Sequence, residues 1–107
     1  MIIDQHFAGR LIQLSVGQVA ELRLPENPTT GFHWSIVANG KPACDLSAGA
    51  FHLYPGPPGR GGEDVWEIRA LQPGPCDIEL VSRRSFGPAT PSDFTFSLRI
   101  HVIDGVH

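Results

Sequence analysis

The chain has 107 residues, which suits one domain, and its formal net charge is −3. A weakly acidic chain offers no basic surface to nucleic acid or to anionic lipid, so we expect neither partner. Hydrophobic residues make up 41% of the sequence and charged residues 18%, as in a globular protein with a modest core. We therefore expect a single domain over residues 1–107.

The sequence carries no segment that would place the protein in or across a membrane. No apolar run is long enough to span a bilayer. Residues 1–6 lack the basic segment and the apolar core of a signal peptide. The expected location is therefore the cytoplasm, unless a leader precedes this sequence.

Alternating apolar and polar residues predict a series of short strands. In chain order, the predicted strands are 11–16, 19–24, 32–38, 50–54, 64–71, 76–83 and 93–103. Residues 43–49 are ambiguous between a short strand and an irregular crossing, and Pro25 is expected to end the second strand. Apolar residues form no helical stripe over three turns, so no long helix is predicted.

The same alternation predicts which side chains face the core. The inward positions are expected to be Ile12, Leu14, Val16, Ala20, Leu22, Leu24, Phe32, Trp34, Ile36, Trp66, Ile68, Ala70, Ile78, Leu80, Phe94, Phe96, Leu98, Ile100 and Val102. About seven short antiparallel strands with one apolar face predict an all-β Greek-key sandwich rather than a barrel at this length.

Three unusual loops are expected at one end of this sandwich. If the strands run alternately up and down, the loops around 27–31, 55–62 and 84–92 emerge together. The first is stiffened by Pro28 and the second is rich in proline and glycine. Because function tends to lie on loops held by a rigid scaffold, we expect a binding edge here.

The sequence does not suggest an enzyme or a metal protein. The five histidines are His6, His33, His52, His101 and His107, and none has the close spacing of metal ligands. No serine lies in a nucleophile elbow, and no phosphate-binding glycine loop is present. We therefore predict no metal, no cofactor and no catalytic residue. Cys44 and Cys76 are expected to be small, partly buried thiols, and a disulfide between them is the alternative in an oxidising compartment.

The three loops carry motifs that occur in a fixed order. These are Asn27-Pro28-Thr29-Thr30-Gly31-Phe32, then Gly59-Arg60-Gly61-Gly62, then Arg84-Ser85-Phe86. In this order they resemble the chagasin family of cysteine-peptidase inhibitors, which carry an Asn-Pro-Thr-Thr-Gly loop, a Gly-x-Gly-Gly loop and an Arg-Pro-Trp/Phe loop. Ser85 stands where the family usually has proline, and Ser82 stands where a tyrosine is common.

The resemblance implies an immunoglobulin-like fold and reversible, non-covalent inhibition of papain-like cysteine peptidases. It places Thr29, Thr30 and Gly31 nearest the catalytic cysteine and histidine of the peptidase. It places Gly59 to Gly62 along one side of the cleft by backbone contact, and Arg84 and Phe86 on the other side. The peptidase-binding residues implied are Asn27, Pro28, Thr29, Thr30, Gly31, Phe32, Gly59, Arg60, Gly61, Gly62, Arg84 and Phe86.

One alternative function uses the same edge. An immunoglobulin-like binding or adhesion module would present these loops to a partner that is not a peptidase. A sugar site usually needs exposed planar aromatics, and only Phe86 and Tyr54 are candidates here, which favours the inhibitor. In either case we expect a monomer.

Overall fold

The computed structural model describes residues 1–26, 32–53, 61–84 and 94–104, with the backbone alone at positions 32, 48–51, 53 and 84. Two four-stranded sheets share one hydrophobic core, so the predicted all-β sandwich is confirmed. The elements are β1 (Ile2–Ile3), a 3₁₀ helix (Gln5–Phe7), β2 (Leu11–Ser15), β3 (Val19–Glu26), β4 (Phe32–Asn39), β5 (Cys44–Leu53), β6 (Gly62–Ala70), β7 (Gly74–Arg84) and β8 (Phe94–Ile103). No helix in the described residues has the length and apolar character that crossing a membrane requires.

The first sheet has the strand order β1-β3-β6-β5, and the second has the order β2-β8-β7-β4. The chain crosses between the sheets from β3 to β4, returns from β4 to β5, and crosses again from β6 to β7. Two pairs are parallel, β1 with β3 and β2 with β8, which corrects the prediction of a wholly antiparallel fold. The described residues also hold eight strands rather than about seven, because β1 is too short to show a periodic pattern.

The core lies between the sheets and follows the predicted alternation in the central strands. In β3, Ala20, Leu22 and Leu24 are fully buried, while Glu21 and Arg23 between them remain partly exposed. Three further strands contribute buried side chains to the same core. These are Trp66, Ile68 and Ala70 of β6, Ile78 and Leu80 of β7, and Phe96, Leu98, Ile100 and Val102 of β8. Full burial stabilises each large apolar side chain by about 1.5–3 kcal/mol, so these strands anchor the fold.

Sequence-based expectations fail at the edges of the sheets. Strand β3 continues through Pro25 to Glu26, since β1 pairs with it only at Glu21 and Leu22 and a proline is tolerated on a strand edge. Strand β5 runs unbroken through the ambiguous segment, and a bulge between Ala48 and Phe51 explains the lost alternation.

Three side chains that were predicted to face the core are exposed instead. Phe94 is 64% exposed because it begins β8, where the sheet ends. Ile36 is 42% exposed on the edge strand β4, next to a bulge between Ile36 and Ala38. Val16 is exposed because it lies just beyond the end of β2. Trp34 is half-buried and packs against the core, and both cysteines are buried free thiols.

Candidate functional site

Three strand ends of the first sheet meet at one point. β3 ends at Glu26, β5 ends at Leu53 and β6 begins with Gly62. Gly62 lies opposite Glu26 on one side and opposite Leu53 on the other. Because neighbouring strands lie about 4.8 Å apart, these ends fall within about 10 Å of one another. The chain leaves this sheet at Glu26 towards residues 27–31. It also leaves the sheet at Leu53 and re-enters it at Gly62, on either side of residues 54–60. The connections 27–31 and 54–60 therefore start from neighbouring points.

Three strand ends of the second sheet meet in the same way. Phe32, the first residue of β4, lies opposite Arg84, the last residue of β7. Phe94, the first residue of β8, lies opposite Ser82 of β7. The connection 85–93 therefore starts and finishes beside the point where the chain returns from residues 27–31.

A buried carboxylate joins the two groups of strand ends. The Trp34 backbone N–H in the second sheet donates to Glu26 Oε1 in the first sheet at 3.0 Å. The Trp34 indole Nε1–H donates to the carbonyl of Pro25, also at 3.0 Å. These bonds hold the end of β3 against the start of β4, so all three loop bases gather at one end of the sandwich. We call Glu26, Trp34 and Pro25 the cross-sheet brace.

The brace carries a small cluster of ionisable groups. The Glu26 side chain is only 7% exposed, and His33 Nδ1 lies 3.8 Å from its Oε1 atom. Asp64 lies on the neighbouring strand β6, opposite Leu24. Burial, followed by the hydrogen bond and the negative charge of Glu26, raises the pKa of Asp64 to about 6, although the nearby His33 acts in the opposite direction. The interaction between the Glu26 and Asp64 carboxyls thus links the bases of the first and second loops.

A cavity of about 450 Å³ opens beside the brace at the same end. Phe94, which is largely exposed, forms one wall, and Trp34 forms another. The described residues that line the cavity are Gln5, Ala8, Leu24, Pro25, Glu26, Trp34, Ser82, Phe94, Thr95 and Phe96. The lining is mostly apolar. Because a cavity remains here, this end of the sandwich is less tightly packed than the core below it.

The predicted site residues fall into two groups. Asn27, Pro28, Thr29, Thr30, Gly31, Gly59, Arg60 and Phe86 lie outside the described residues. Phe32 and Arg84 are placed by their backbones, which face each other at the ends of β4 and β7. Gly61 is buried and has φ +77°, a left-handed conformation that favours glycine.

Gly62 requires one correction. Its backbone was expected to contact the peptidase along one side of the cleft. Instead, Gly62 is buried and lies between β3 and β5, where it pairs with both neighbours. Since both sides of this residue are already occupied by strands, the second loop ends at Gly61.

Sequence reasoning did not identify the ionisable groups at the brace. Neither Glu26, His33 nor Asp64 was named as a site residue, because none matches a motif of catalysis or metal binding. Only the places of these residues beside the first loop motif could have indicated a role, since Glu26 immediately precedes Asn27 and His33 follows Phe32. His33, His52 and His101 are exposed, and the described part of the chain holds no group of three or more residues suited to a metal ion.

Comparison with known proteins gives this arrangement a family. The model of the chagasin family of peptidase inhibitors, I42, matches residues 13–100. Amoebiasin-1 of Entamoeba histolytica is 33% identical over 91 residues, which cover 85% of this chain and 88% of that protein. Chagasin of Trypanosoma cruzi is 30% identical over 98 residues, covering 85% and 89%. The chain therefore belongs to the chagasin family, whose members are cysteine-peptidase inhibitors and not enzymes.

Solved structures agree with the fold. The solution structure of amebosin superposes with a TM-score of 0.73 at 30% identity, over 96% of this chain and 97% of that one. A structure of PbICP-C, solved in complex with falcipain-2, superposes with a TM-score of 0.69 over 96% of this chain and 90% of that one. At 18% identity the second likeness concerns the fold alone.

Proposed function

We propose that this protein inhibits papain-like cysteine peptidases by inserting three loops, 27–32, 55–61 and 84–92, into the active-site cleft as a wedge. It acts as a single domain over residues 1–107 and as a monomer. The observation that carries the proposal is the clustering of the strand ends that flank these loops. Glu26, Gly62 and Leu53 lie side by side in one sheet, and the brace holds them against the start of β4 in the other.

The dimensions of this end suit a groove. The strand ends of one sheet span about 10 Å, and two packed sheets lie about 10 Å apart. Such an edge is narrow, whereas a specific interface buries about 800 Å² on each partner. The loops themselves must therefore provide most of the contact area. Family membership supports this use of the edge over an adhesion module.

The chemistry of the loops supports inhibition without cleavage. Thr29, Thr30 and Gly31 would lie nearest the catalytic cysteine and histidine of the peptidase. Pro28 fixes its own φ, and the positive φ of Gly61 holds the end of the second loop. A loop that is already stiff loses less conformational entropy on binding, about 0.5–1.5 kcal/mol for each side chain that need not be ordered.

The flanking positions have separate roles. The second loop, Gly59 to Gly61, would run along one side of the cleft by backbone contact, where the absence of a Cβ permits close approach. Arg84 and Phe86 would pack on the other side, and both are residue types that often dominate binding energy. Asn27 and Phe32 would anchor the first loop at its two ends. The partner is a cysteine peptidase, with no cofactor and no metal required.

The direct test is a titration of active papain with this protein while hydrolysis of a fluorogenic peptide is followed. We expect stoichiometric inhibition by an inhibitor that remains uncleaved. Replacing Thr29→Ala together with Thr30→Ala should weaken inhibition by about 10-fold to 100-fold, as expected for a central contact. The melting temperature should change little, because the substituted side chains belong to a binding loop and not to the core.

A matched double variant at exposed positions elsewhere provides the control. Gln13 and Gln72 are both exposed and are far from Glu26 in the strand register. Gln13→Ala with Gln72→Ala should leave inhibition unchanged. Equal inhibition by the threonine variant and by this control would contradict a wedge centred on the first loop. Failure of the folded wild-type protein to inhibit papain would contradict the proposed function as a whole.

A further inference from the structure

We propose that Cys44 and Cys76 form an oxidisable pair whose disulfide joins the two sheets of the sandwich. Cys44 is the first residue of β5 in one sheet, and Cys76 lies in β7 of the other. Their sulfur atoms are 2.7 Å apart. A disulfide bond is about 2.05 Å long, so only a small adjustment would bring the sulfurs into bonding distance. The side chains therefore already point at each other across the core.

The surroundings favour a bond between these two sulfurs over any other use of the thiols. Cys44 is 0% exposed and Cys76 is 7% exposed. Gly40 packs directly over the pair, and a Cβ built on it would come within 3.0 Å of Cys44 Cβ and 3.6 Å of Cys76 Sγ. In the described chain no further histidine, cysteine or carboxylate completes a metal site here. The pair thus suits a covalent crosslink and not metal binding.

Burial determines when the crosslink can form. It raises the pKa of the Cys44 thiol above its ordinary value, and burial together with the neighbouring Cys44 raises the pKa of Cys76 further. The thiolate is the reactive form, so the folded protein resists attack on these sulfurs. Oxidation is therefore expected during folding or transient opening, while the chain is still accessible, and the closed core then protects the product.

The oxidant is a low-molecular-weight disulfide, with oxidised glutathione as the probe. The Cys76 thiolate attacks one sulfur of the probe, which breaks its disulfide and releases one glutathione thiolate. The Cys44 thiolate then attacks the Cys76 sulfur of the mixed disulfide, which forms the intramolecular bond and releases the second glutathione. The protein loses two protons and two electrons, and one oxidised glutathione becomes two reduced molecules.

The position of the crosslink separates it from the inhibitory edge. Cys44 lies opposite Ala70 and Cys76 lies opposite Ile100, whereas the loops leave from the opposite ends of β5 and β7. The bond closes a loop between positions 32 residues apart, which contains β5 and β6. Such a closure limits the unfolded chain and stabilises the folded one, and it does not alter the loop bases. The inference is therefore independent of the proposed function.

The test compares one protein in two redox states. The full chain is unfolded with reductant and then refolded either in a glutathione redox buffer or in dithiothreitol. Denaturing alkylation and mass spectrometry should show two blocked sulfurs and the loss of two hydrogen masses after oxidising refolding. The oxidised monomer should melt at least about 10 °C above the reduced one. Reduction under denaturing conditions, followed by refolding, should restore the lower melting temperature.

Cys76→Ala provides the control variant, because it cannot form the bond and should melt at the same temperature in both buffers. Three results would overturn the inference. Both sulfurs could remain open to alkylation after oxidising refolding, the crosslink could form only between chains, or the oxidised monomer could melt no higher than the reduced one. The wild-type comparison stands even if the variant fails to fold, and no measurement uses a peptidase.

Discussion

The two ends of the sandwich join its sheets by opposite means. At the loop-bearing end, Trp34 connects the sheets by donating one hydrogen bond to the buried Glu26 carboxylate and another to the Pro25 carbonyl. At the other end, Cys44, Cys76 and Gly40 meet in close apolar packing. A polar junction depends on satisfied hydrogen bonds and on pH, whereas a dry junction depends on volume. Substitutions at the first end should therefore affect inhibition and stability together, and those at the second should affect stability alone.

The largest effect is expected at Trp34. Trp34→Ala should lower the free energy of unfolding by about 3 kcal/mol, near the lower limit for a buried aromatic, because this side chain is only half-buried. Inhibition should fall as well, because the indole bond to Pro25 helps to hold the first loop. Urea unfolding followed by circular dichroism measures the first effect, and peptidase titration measures the second.

Trp34→Phe separates the packing of this residue from its hydrogen bond. It keeps an aromatic ring against the core but cannot donate to the Pro25 carbonyl, so the free energy of unfolding should fall by about 1 kcal/mol. If Trp34→Ala left stability intact and abolished inhibition, Trp34 would be a contact residue for the peptidase instead of part of the brace.

At the opposite end, Gly40 should be nearly as sensitive. Its φ of +87° is unfavourable for other residues, and a Cβ there would lie 2.7 Å from Ile78 Cδ1 and 3.0 Å from Cys44 Cβ. Gly40→Ala should therefore cost about 2–3 kcal/mol, from backbone strain plus overpacking. Inhibition per folded molecule should be unchanged, because the substitution lies far from the loop bases.

Gly17 provides a matched control for the packing contribution. It has a similar φ of +89°, but a Cβ there would have nothing within 4 Å. Gly17→Ala should therefore show the backbone cost alone, about 1–2 kcal/mol. Equal losses at Gly17 and Gly40 in urea unfolding would mean that the thiol end is loosely packed and has room for a Cβ at Gly40.

Glu26 should show a smaller effect on stability and a clear effect on inhibition. Glu26→Ala leaves the Trp34 backbone N–H without its acceptor, which costs about 1–3 kcal/mol for a poorly solvated group. Glu26→Gln retains an oxygen at this position and should keep most of the stability that Glu26→Ala loses. Glu26 is a positioning residue, so Glu26→Ala should weaken inhibition of papain at temperatures where the variant is fully folded. Inhibition that is unaffected by Glu26→Ala would show that the brace does not position the first loop.

These contrasts explain which parts of the molecule could be predicted from the sequence. The central strands were predictable because partners on both sides and a core on one face enforce alternation, as in Leu22 and Leu98. Edges were not predictable, because a strand edge tolerates Pro25, a bulge interrupts β5, and Phe94 lies beyond the covered part of its sheet. The two-residue strand β1 left no pattern at all.

The candidate site likewise has a part that could be predicted from the sequence and a part that could not. Its loop motifs are local strings of residues, so the order of the motifs was enough to indicate the family. The brace could not be predicted, because it depends on how the chain crosses from one sheet to the other. Glu26 and Trp34 are only 8 residues apart, yet their contact requires that both sheets end at the same place. The participation of Asp64 depends further on the register between β3 and β6.

The smallest predicted effect is a pH dependence that belongs to the loop-bearing end alone. The pKa of Asp64 is raised from an ordinary 3.8 to about 6 in the folded protein, mainly by burial and then by Glu26. Between these values the folded chain binds more protons than the unfolded chain, so this group's contribution to stability falls as the pH rises. The contribution is fully present below about pH 4 and is lost above about pH 6. Partial exposure reduces it to about 1 kcal/mol.

Urea unfolding of the wild type and of Asp64→Asn between pH 4 and 7 isolates this contribution, because other titrating groups cancel in the difference. The difference between the two proteins should change by about 1 kcal/mol across this range, with the wild type relatively more stable at the acidic end. Asp104→Asn, at an exposed position in the last described residues, removes the same side-chain charge and serves as the control for this substitution. A flat difference for Asp64→Asn would mean that burial and Glu26 do not raise the pKa of Asp64, and Asp64 would then have no part in joining the loop bases.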